Sequence, residues 1–265
     1  MNSYRKPHRY KKKKPIYRNR FFWLGLLTVV FLFSIFYFLF LSGFFQIEKI
    51  IISGEDKVPT EEIRSRIENK LGNKILFWQT KSIFLVNLAE MKKDVLAAFP
   101  GLAAVEIKRN FPDGLSIIVV ERAGIAQWFA GERSFLLDNE GVIFETSSPE
   151  SDFLKIVDAN NSDNPALGLK VIEKEELSRI TGKIWPELRD NLKIPIKEFL
   201  ISSEDKLTVL TQEGWEIYFN LQGDVEWQLT KLKAVLEEKI PQDRRVDLQY
   251  IELRFGNFAP FKYKD

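Results

Sequence analysis

The longest apolar stretch of the chain is FFWLGLLTVVFLFSIFYFLFLSGFF, residues 21–45, with no charge in 25 positions. A helix rises about 1.5 Å per residue and needs about 20 apolar residues to cross a hydrocarbon core of about 30 Å, so this run predicts a transmembrane helix. Beyond it the apolar periods shorten. Residues 47–54 are a β-branched run closed by Ser53-Gly54 and read as a strand. Pro59-Thr60-Glu61-Glu62 opens a helix, with Thr60 as its N-cap and two acids on the positive end of the dipole. Ile63, Ile67 and Leu71 recur every four residues on its buried face, and Gly72 stops it. A second helix is expected over residues 87–99, with Leu88, Met91, Val95, Leu96 and Phe99 turned inward and Pro100-Gly101 at its end. Strands at 103–110 and 115–122 follow, joined by Phe111-Pro112-Asp113-Gly114, in which Asp-Gly is a strong hairpin signal. The order is β-α-α-β-β.

From residue 123 the texture is mainly β. Short strands are expected at 125–129, 134–137 and 142–145, the last two joined by the turn Asp138-Asn139-Glu140-Gly141. Residues 146–168 are rich in Ser, Asn, Asp and Pro and are expected to include a loop. A helix is expected at 174–185. Strands at 196–202, 206–211 and 215–220 come next, with Glu213-Gly214 turning the last pair. Residues 222–240 form the clearest helix, with Val225, Leu229, Leu232, Leu236 and Ile240 along one side. A strand over 247–255 and a basic, aromatic tail close the chain. The expected fold class is therefore α+β: a basic tail at 1–20, one N-terminal transmembrane helix at 21–45, a β-α-α-β-β domain at 46–122, and a mainly-β domain with covering helices at 123–265.

Charge orients the span. Nine of the 39 Lys and Arg, and none of the 37 Asp and Glu, lie in residues 1–20, leaving 30 bases against 37 acids in the remainder. Lys49 and Lys57 follow the apolar run mixed with Glu48, Glu55 and Asp56. The positive-inside bias then puts the N-terminus in the cytoplasm and the bulk of the chain outside. A cleaved signal peptide would have a shorter apolar region and a small-x-small site, whereas this run ends Ser42-Gly43-Phe44-Phe45. The basic tail reads as a topology determinant touching anionic lipid, and no nucleic acid is expected as a partner.

The residue inventory argues against chemistry. There is no cysteine, and the single histidine is His8 in the tail, so the usual nucleophile and base pairings are missing from the remainder. Glu61/Glu62, Glu175/Glu176 and Glu237/Glu238 are adjacent on predicted helices and point to different azimuths, so neither pair member converges on the other. No metal site, phosphate-binding glycine pattern, cofactor or small-molecule substrate is expected. What remains is a binding surface: residues 247–255 carry apolar side chains on both alternation classes, as a strand does when one face is core and its edge recruits a partner strand.

Several motifs, in order, resemble the bacterial cell-division FtsQ/DivIB family. Residues 47–54 look like the first strand of a POTRA module, the polypeptide-transport-associated β-α-α-β-β unit. Residues 99–115, FPGLAAVEIKRNFPDGL, resemble the family's R-x-x-P-x-x-L hairpin. Glu121-Arg122 followed by Ala126-Gln127-Trp128 is similar to its E-R-x-P-x-A-x-W segment, with Ala123-Gly124 where a proline is usual. Residues 135–144, FLLDNEGVIF, and 250–255, YIELRF, resemble its L-x-D-x-x-G-x-x-F and final-strand signatures. Residues 153–167 depart from a family proline-glycine stretch. The resemblance implies a non-enzymatic divisome scaffold at the septum of the cytoplasmic membrane, binding the FtsB/FtsL pair by strand addition at its C-terminal strand. It points to Tyr250, Glu252, Arg254, Phe255, Gly256 and Phe258 as the partner-binding residues, with Arg254 offering its donor fork to a partner carboxylate and Phe255 an apolar anchor. Two other classes fit parts of the chain: a secretion or chaperone POTRA protein, which should carry several such modules and a barrel, and a membrane-anchored envelope enzyme.

Overall fold

The computed structural model describes residues 19–54, 56–75, 77–159, 165–203 and 205–264. The basic tail up to Arg18 and residues 160–164, part of the 146–168 region expected to include a loop, lie outside them. By its contacts the chain divides into two units, one built from residues up to Ser53 with 61–91 and 107–117, the other from 54–60, 92–106 and 118–265.

In the first unit, α1 (Arg20–Phe40) starts on Asn19, whose side-chain oxygen accepts from the Phe21 N–H at 3.0 Å. The helix is apolar and exposed up to its last two residues, Leu39 and Phe40, which fits a single-pass membrane anchor. It ends five residues before the apolar run does. A helix leaves its last carbonyls without intrahelical partners, and here side chains from further along supply donors: Ser82 Oγ to Leu39 O at 3.0 Å, Thr80 Oγ1 to Phe40 O at 2.6 Å, and Gln46 Nε2 to Phe40 O at 3.2 Å. One short helical turn over Gly43–Phe45 leads to β1 (Lys49–Ser53) and α2 (Thr60–Glu68). Ile63 and Ile67 are fully buried on α2, as their spacing requires, and Thr60 is the helix's first residue rather than the cap before it. A ribbon of β2 (Asn73–Ile75) and β3 (Trp78–Thr80) follows, paired Asn73 to Thr80 and Ile75 to Trp78. Its three-residue strands are too short to leave a period in the sequence.

Next come α3 (Leu88–Ala98), β4 (Leu102–Asn110) and β5 (Gly114–Glu121), and the strands form a sheet in the order β1-β5-β4. The Asn87 side chain caps α3 by accepting from the Glu90 N–H at 3.2 Å. Along β5, Leu115, Ile117 and Val119 are buried and Ile118 and Val120 exposed, the two-residue alternation of a sheet with one covered face. The motif residues hold backbone. Arg109 donates from Nε to Ile83 O at 2.7 Å and from Nη2 to Val86 O at 2.8 Å. Glu121 accepts from the N–H groups of Asp56, Lys57 and Val58.

The remaining strands are β6 (Ala126–Ala130), β7 (Arg133–Leu137), β8 (Ile143–Thr146), β9 (Leu154–Asp158), β10 (Ile196–Ser203), β11 (Lys206–Thr211), β12 (Glu216–Phe219), β13 (Leu248–Glu252) and β14 (Phe261–Tyr263). They form one sheet in the order β14-β13-β12-β11-β10-β9-β6-β7-β8. The region 146–168, expected to include a loop, also holds a central strand at 154–158, parallel to both β6 and β10, which the sequence did not announce. Leu154 and Ile156 alternate inward, a period two residues long hidden between polar neighbours. The helix expected at 174–185 is also longer. α4 (Lys174–Arg179) continues in loosened turns to Asn191, with the Trp185 N–H reaching five residues back to Ile180 O, so the chain passes Pro186 without breaking. This keeps Leu177, Ile180, Ile184 and Leu188 on one fully buried stripe. α5 (Val225–Glu238), capped by Asp224 at the Trp227 N–H, adds Leu232, Val235 and Leu236 to the same core, which includes the fully buried Trp128, Trp215, Phe199 and Phe219.

Asp138-Asn139-Glu140-Gly141 turns β7 into β8 as expected. Asp138 is buried, pairs with Arg122, and accepts from the N–H groups of Glu140 at 3.0 Å and Val142 at 2.9 Å. Gly141 has φ +81°, and a Cβ there would lie 1.9 Å from Ile172 O, so both conformation and space require glycine.

Candidate partner-binding edge

The structure corrects the expectation that residues 247–255 form an edge strand. β13 ends at Glu252, and it is paired on both sides, parallel to β12 and antiparallel to β14. The basic, aromatic tail folds back as β14, in the register Leu248 to Tyr263, Tyr250 to Lys262 and Ile251 to Phe261. The Glu252 N–H donates to Pro260 O at 2.8 Å and the Leu253 N–H to Tyr218 O at 3.0 Å. The terminal strand of the sheet at this end is therefore β14, and no described strand lies beyond it.

Of the predicted residues, Tyr250, Glu252 and Arg254 share one face. Opposite them β12 presents Glu216 and Tyr218, through the pairs Glu216 to Tyr250 and Tyr218 to Glu252. Tyr250 and Tyr218 stack at 5.4 Å between ring centroids, and the Tyr218 hydroxyl donates to Glu216. Burial and that carboxylate raise the Tyr218 pKa. Lys206 lies 4.7 Å over the Tyr218 ring. The fork of Arg254 is already engaged within the chain. Its Nε donates to Glu252 Oε1 at 3.0 Å and its Nη2 to Oε2 at 2.7 Å, and its guanidinium sits 4.8 Å over the Phe255 ring. Burial pushes the Glu252 carboxyl up, but the bonds from Arg254 outweigh it and hold the pKa below the usual range. Arg254 here shapes the surface by internal pairing, which differs from the free fork expected of it.

Phe255, Gly256 and Phe258 follow in the turn between β13 and β14. Phe255 is 65% exposed and Phe258 80%, and Gly256 sits at φ +52°. What holds this turn is Lys231 of α5. Its buried ammonium donates to Leu253 O at 2.7 Å, Gly256 O at 3.1 Å and Phe255 O at 3.3 Å. Burial lowers its pKa against the opposing pull of Glu252. Sequence reading missed Lys231. The signal was its place at three- and four-residue spacing between Gln228 and Val235, on the buried side of α5. Beside the turn, Trp227, Val235, Ala259 and Phe261 help to line an open groove of ≈ 600 Å³ between α5 and residues 257–261.

The arrangement is suited to binding. It offers a short terminal strand, two exposed phenylalanines, an apolar groove and an ordered aromatic-polar face. No group of three or more His, Asp or Glu able to hold a metal occurs among the described residues.

The family model for the POTRA domain, FtsQ-type, matches residues 45–122, and that for the cell division protein FtsQ/DivIB, C-terminal, matches residues 126–254. Cell division protein FtsQ of Anaeromyxobacter sp. (strain K) is 23% identical over 226 residues, covering 80% of this chain and 69% of that protein. Cell division protein FtsQ of Streptomyces coelicolor is 21% identical over 211 residues, covering 78% and 76%. Cell division protein DivIB of Clostridium acetobutylicum is 28% identical over 102 residues, covering 38% and 37%. With the two family models together spanning most of the sequence, in the order the fold requires, the chain belongs to the FtsQ/DivIB family of cell-division proteins.

Proposed function

We propose that the chain is a non-enzymatic divisome scaffold that binds FtsB- and FtsL-like partners at the C-terminal end of its large sheet. The observation that carries this reading is the position of β14, a three-residue terminal strand next to two exposed phenylalanines. A terminal strand offers N–H and C=O groups to a partner strand, and neighbouring apolar side chains provide anchors. The partner strand adds to β14 or takes its place against β13. Phe255 and Phe258 supply apolar contact, Gly256 permits the turn, and Tyr250, Glu252 and Arg254 form the ordered face beside it. The division into a cytoplasmic tail at 1–20, a span at 21–45, a POTRA domain at 46–122 and a β domain at 123–265 belongs to the same reading. So do a cytoplasmic N-terminus, supported by the nine bases in residues 1–20, and a septal location.

The test is a fluorescent fusion expressed in place of the native chain. The reading predicts a midcell band and filamentation on depletion, with Phe255→Asp/Phe258→Asp failing to retain the partners at midcell. A uniform membrane signal with normal septation on depletion contradicts it.

A further inference from the structure

The end of α1 is held by the folded part of its own unit, and an aromatic surface surrounds that junction. Besides the three side-chain donors to Leu39 O and Phe40 O, the chain that follows is tied by backbone bonds, Ile83 N–H to Phe45 O at 2.9 Å and Ile47 N–H to Lys81 O at 3.1 Å. A chain of ring contacts then runs outward from the helix. Phe40 meets Phe84 at 6.3 Å, Phe45 meets Phe84 at 5.0 Å, and Phe84 meets Phe111 at 5.6 Å between centroids. Phe84 is 40% exposed and Phe111, in the β4–β5 turn, 56%. On β3, Trp78 shares the face of Thr80, whose hydroxyl holds Phe40 O, and the residue is 58% exposed.

Large apolar rings left open beside the end of an apolar helix have a physical explanation. The 21 residues of α1 span about 31 Å, the thickness of a hydrocarbon core, so Phe40 falls at its boundary. Phe84 is one ring step from Phe40 and Phe111 two, within the headgroup layer where aromatic side chains concentrate and where apolar faces bury to about 5–10 Å. We infer that Trp78, Phe84 and Phe111 form a membrane-seating collar. The unit does not hang from a flexible tether; it rests on the leaflet from which α1 emerges, with these rings inserted at the interface. The occupant of this surface is the lipid headgroup boundary. Its continuity with the uncovered face of α1 through Phe40 and Phe84 favours lipid over a protein partner.

This inference rests on reading α1 as a membrane span, and its test separates the two. The chain has no native cysteine, so single nitroxide labels can be placed in the full-length protein in phosphatidylcholine–phosphatidylglycerol nanodiscs. Val29→Cys reports the span, Phe111→Cys and Trp78→Cys the collar, and Glu132→Cys, at an exposed position, water. Power saturation compares access of oxygen with that of a water-soluble nickel complex. The collar predicts nickel access at 78 and 111 at least threefold below that at 132, with values between those at 29 and 132. Nickel access at both collar positions equal to that at 132, with 29 shielded in lipid, overturns the collar and leaves the anchor standing. Nickel access at 29 equal to that at 132 overturns the anchor and the collar with it. Either collar label suffices if the other variant fails to fold.

Discussion

Replacing Lys231 with Met keeps the aliphatic stem and removes the ammonium that ties α5 to the turn after β13. Three carbonyls lose a charged donor, at 2.7, 3.1 and 3.3 Å. A hydrogen bond to a charged group contributes ~1.5–3 kcal/mol where the partner is left dry. Only the shortest bond is buried, the Phe255 and Gly256 carbonyls can rehydrate, and the ammonium carries a burial penalty seen in its lowered pKa. The net loss should therefore be close to one strong bond, about 2 kcal/mol. The effect is local, because the turn can open while the core around Trp128 and Trp215 stays closed. Hydrogen exchange read by mass spectrometry on the full-length protein in micelles should show the Glu252 and Leu253 amides, bonded to Pro260 O and Tyr218 O, exchanging about 30-fold faster. Lys233→Met, at an exposed position of the same helix, serves as the control. Protection at 252–253 within about twofold of the unsubstituted chain would refute the role given to Lys231.

Other predictions follow from the same contacts. Asp138→Ala leaves the Arg122 guanidinium, 16% exposed, without its carboxylate and frees two backbone N–H groups; denaturant unfolding followed by tryptophan fluorescence should show a loss of about 3–5 kcal/mol. Gly141→Ala puts a methyl into Ile172 O at a left-handed φ and should depress the yield of folded protein, with protease resistance as the readout. The Glu252 pKa is lowered in the folded chain, so its stabilisation is complete above the unfolded value of ~4.3 and disappears as pH falls through the folded value. The stability gap between the native chain and Glu252→Gln should accordingly begin to narrow as pH falls below ~4.3 and stay constant from pH 6 to 8; a gap unchanged at pH 3 would refute the Glu252–Arg254 pair.

Long periods were legible in the sequence and short ones were not. The apolar run of α1, the stripes of α2 and α5 and the Asp-Gly hairpin each repeat over enough residues to show their period, and the structure keeps them. β2, β3 and β14 have three residues each, and β9 lies among Ser and Asp, so no alternation rises above its surroundings. Residues 250–258 do lie at one end of the sheet, yet their sequence cannot tell that β14 returns to cover β13, or that Glu252, two residues away, engages Arg254. Lys231 illustrates the same limit. A charged residue on a buried stripe is recognisable by spacing, but its three carbonyl partners, 22 to 25 residues further along, are set by the turn after β13.

The central claim is that the β13–β14 end of the sheet binds the division partners. It is tested most directly by titrating the full-length chain in nanodiscs with its host's FtsB- and FtsL-like pair, by biolayer interferometry. Binding should be saturable and weaken at least tenfold in Phe255→Asp/Phe258→Asp, while a distant substitution such as Glu132→Ala leaves it unchanged. Equal affinity of the double variant and the native chain would contradict the account.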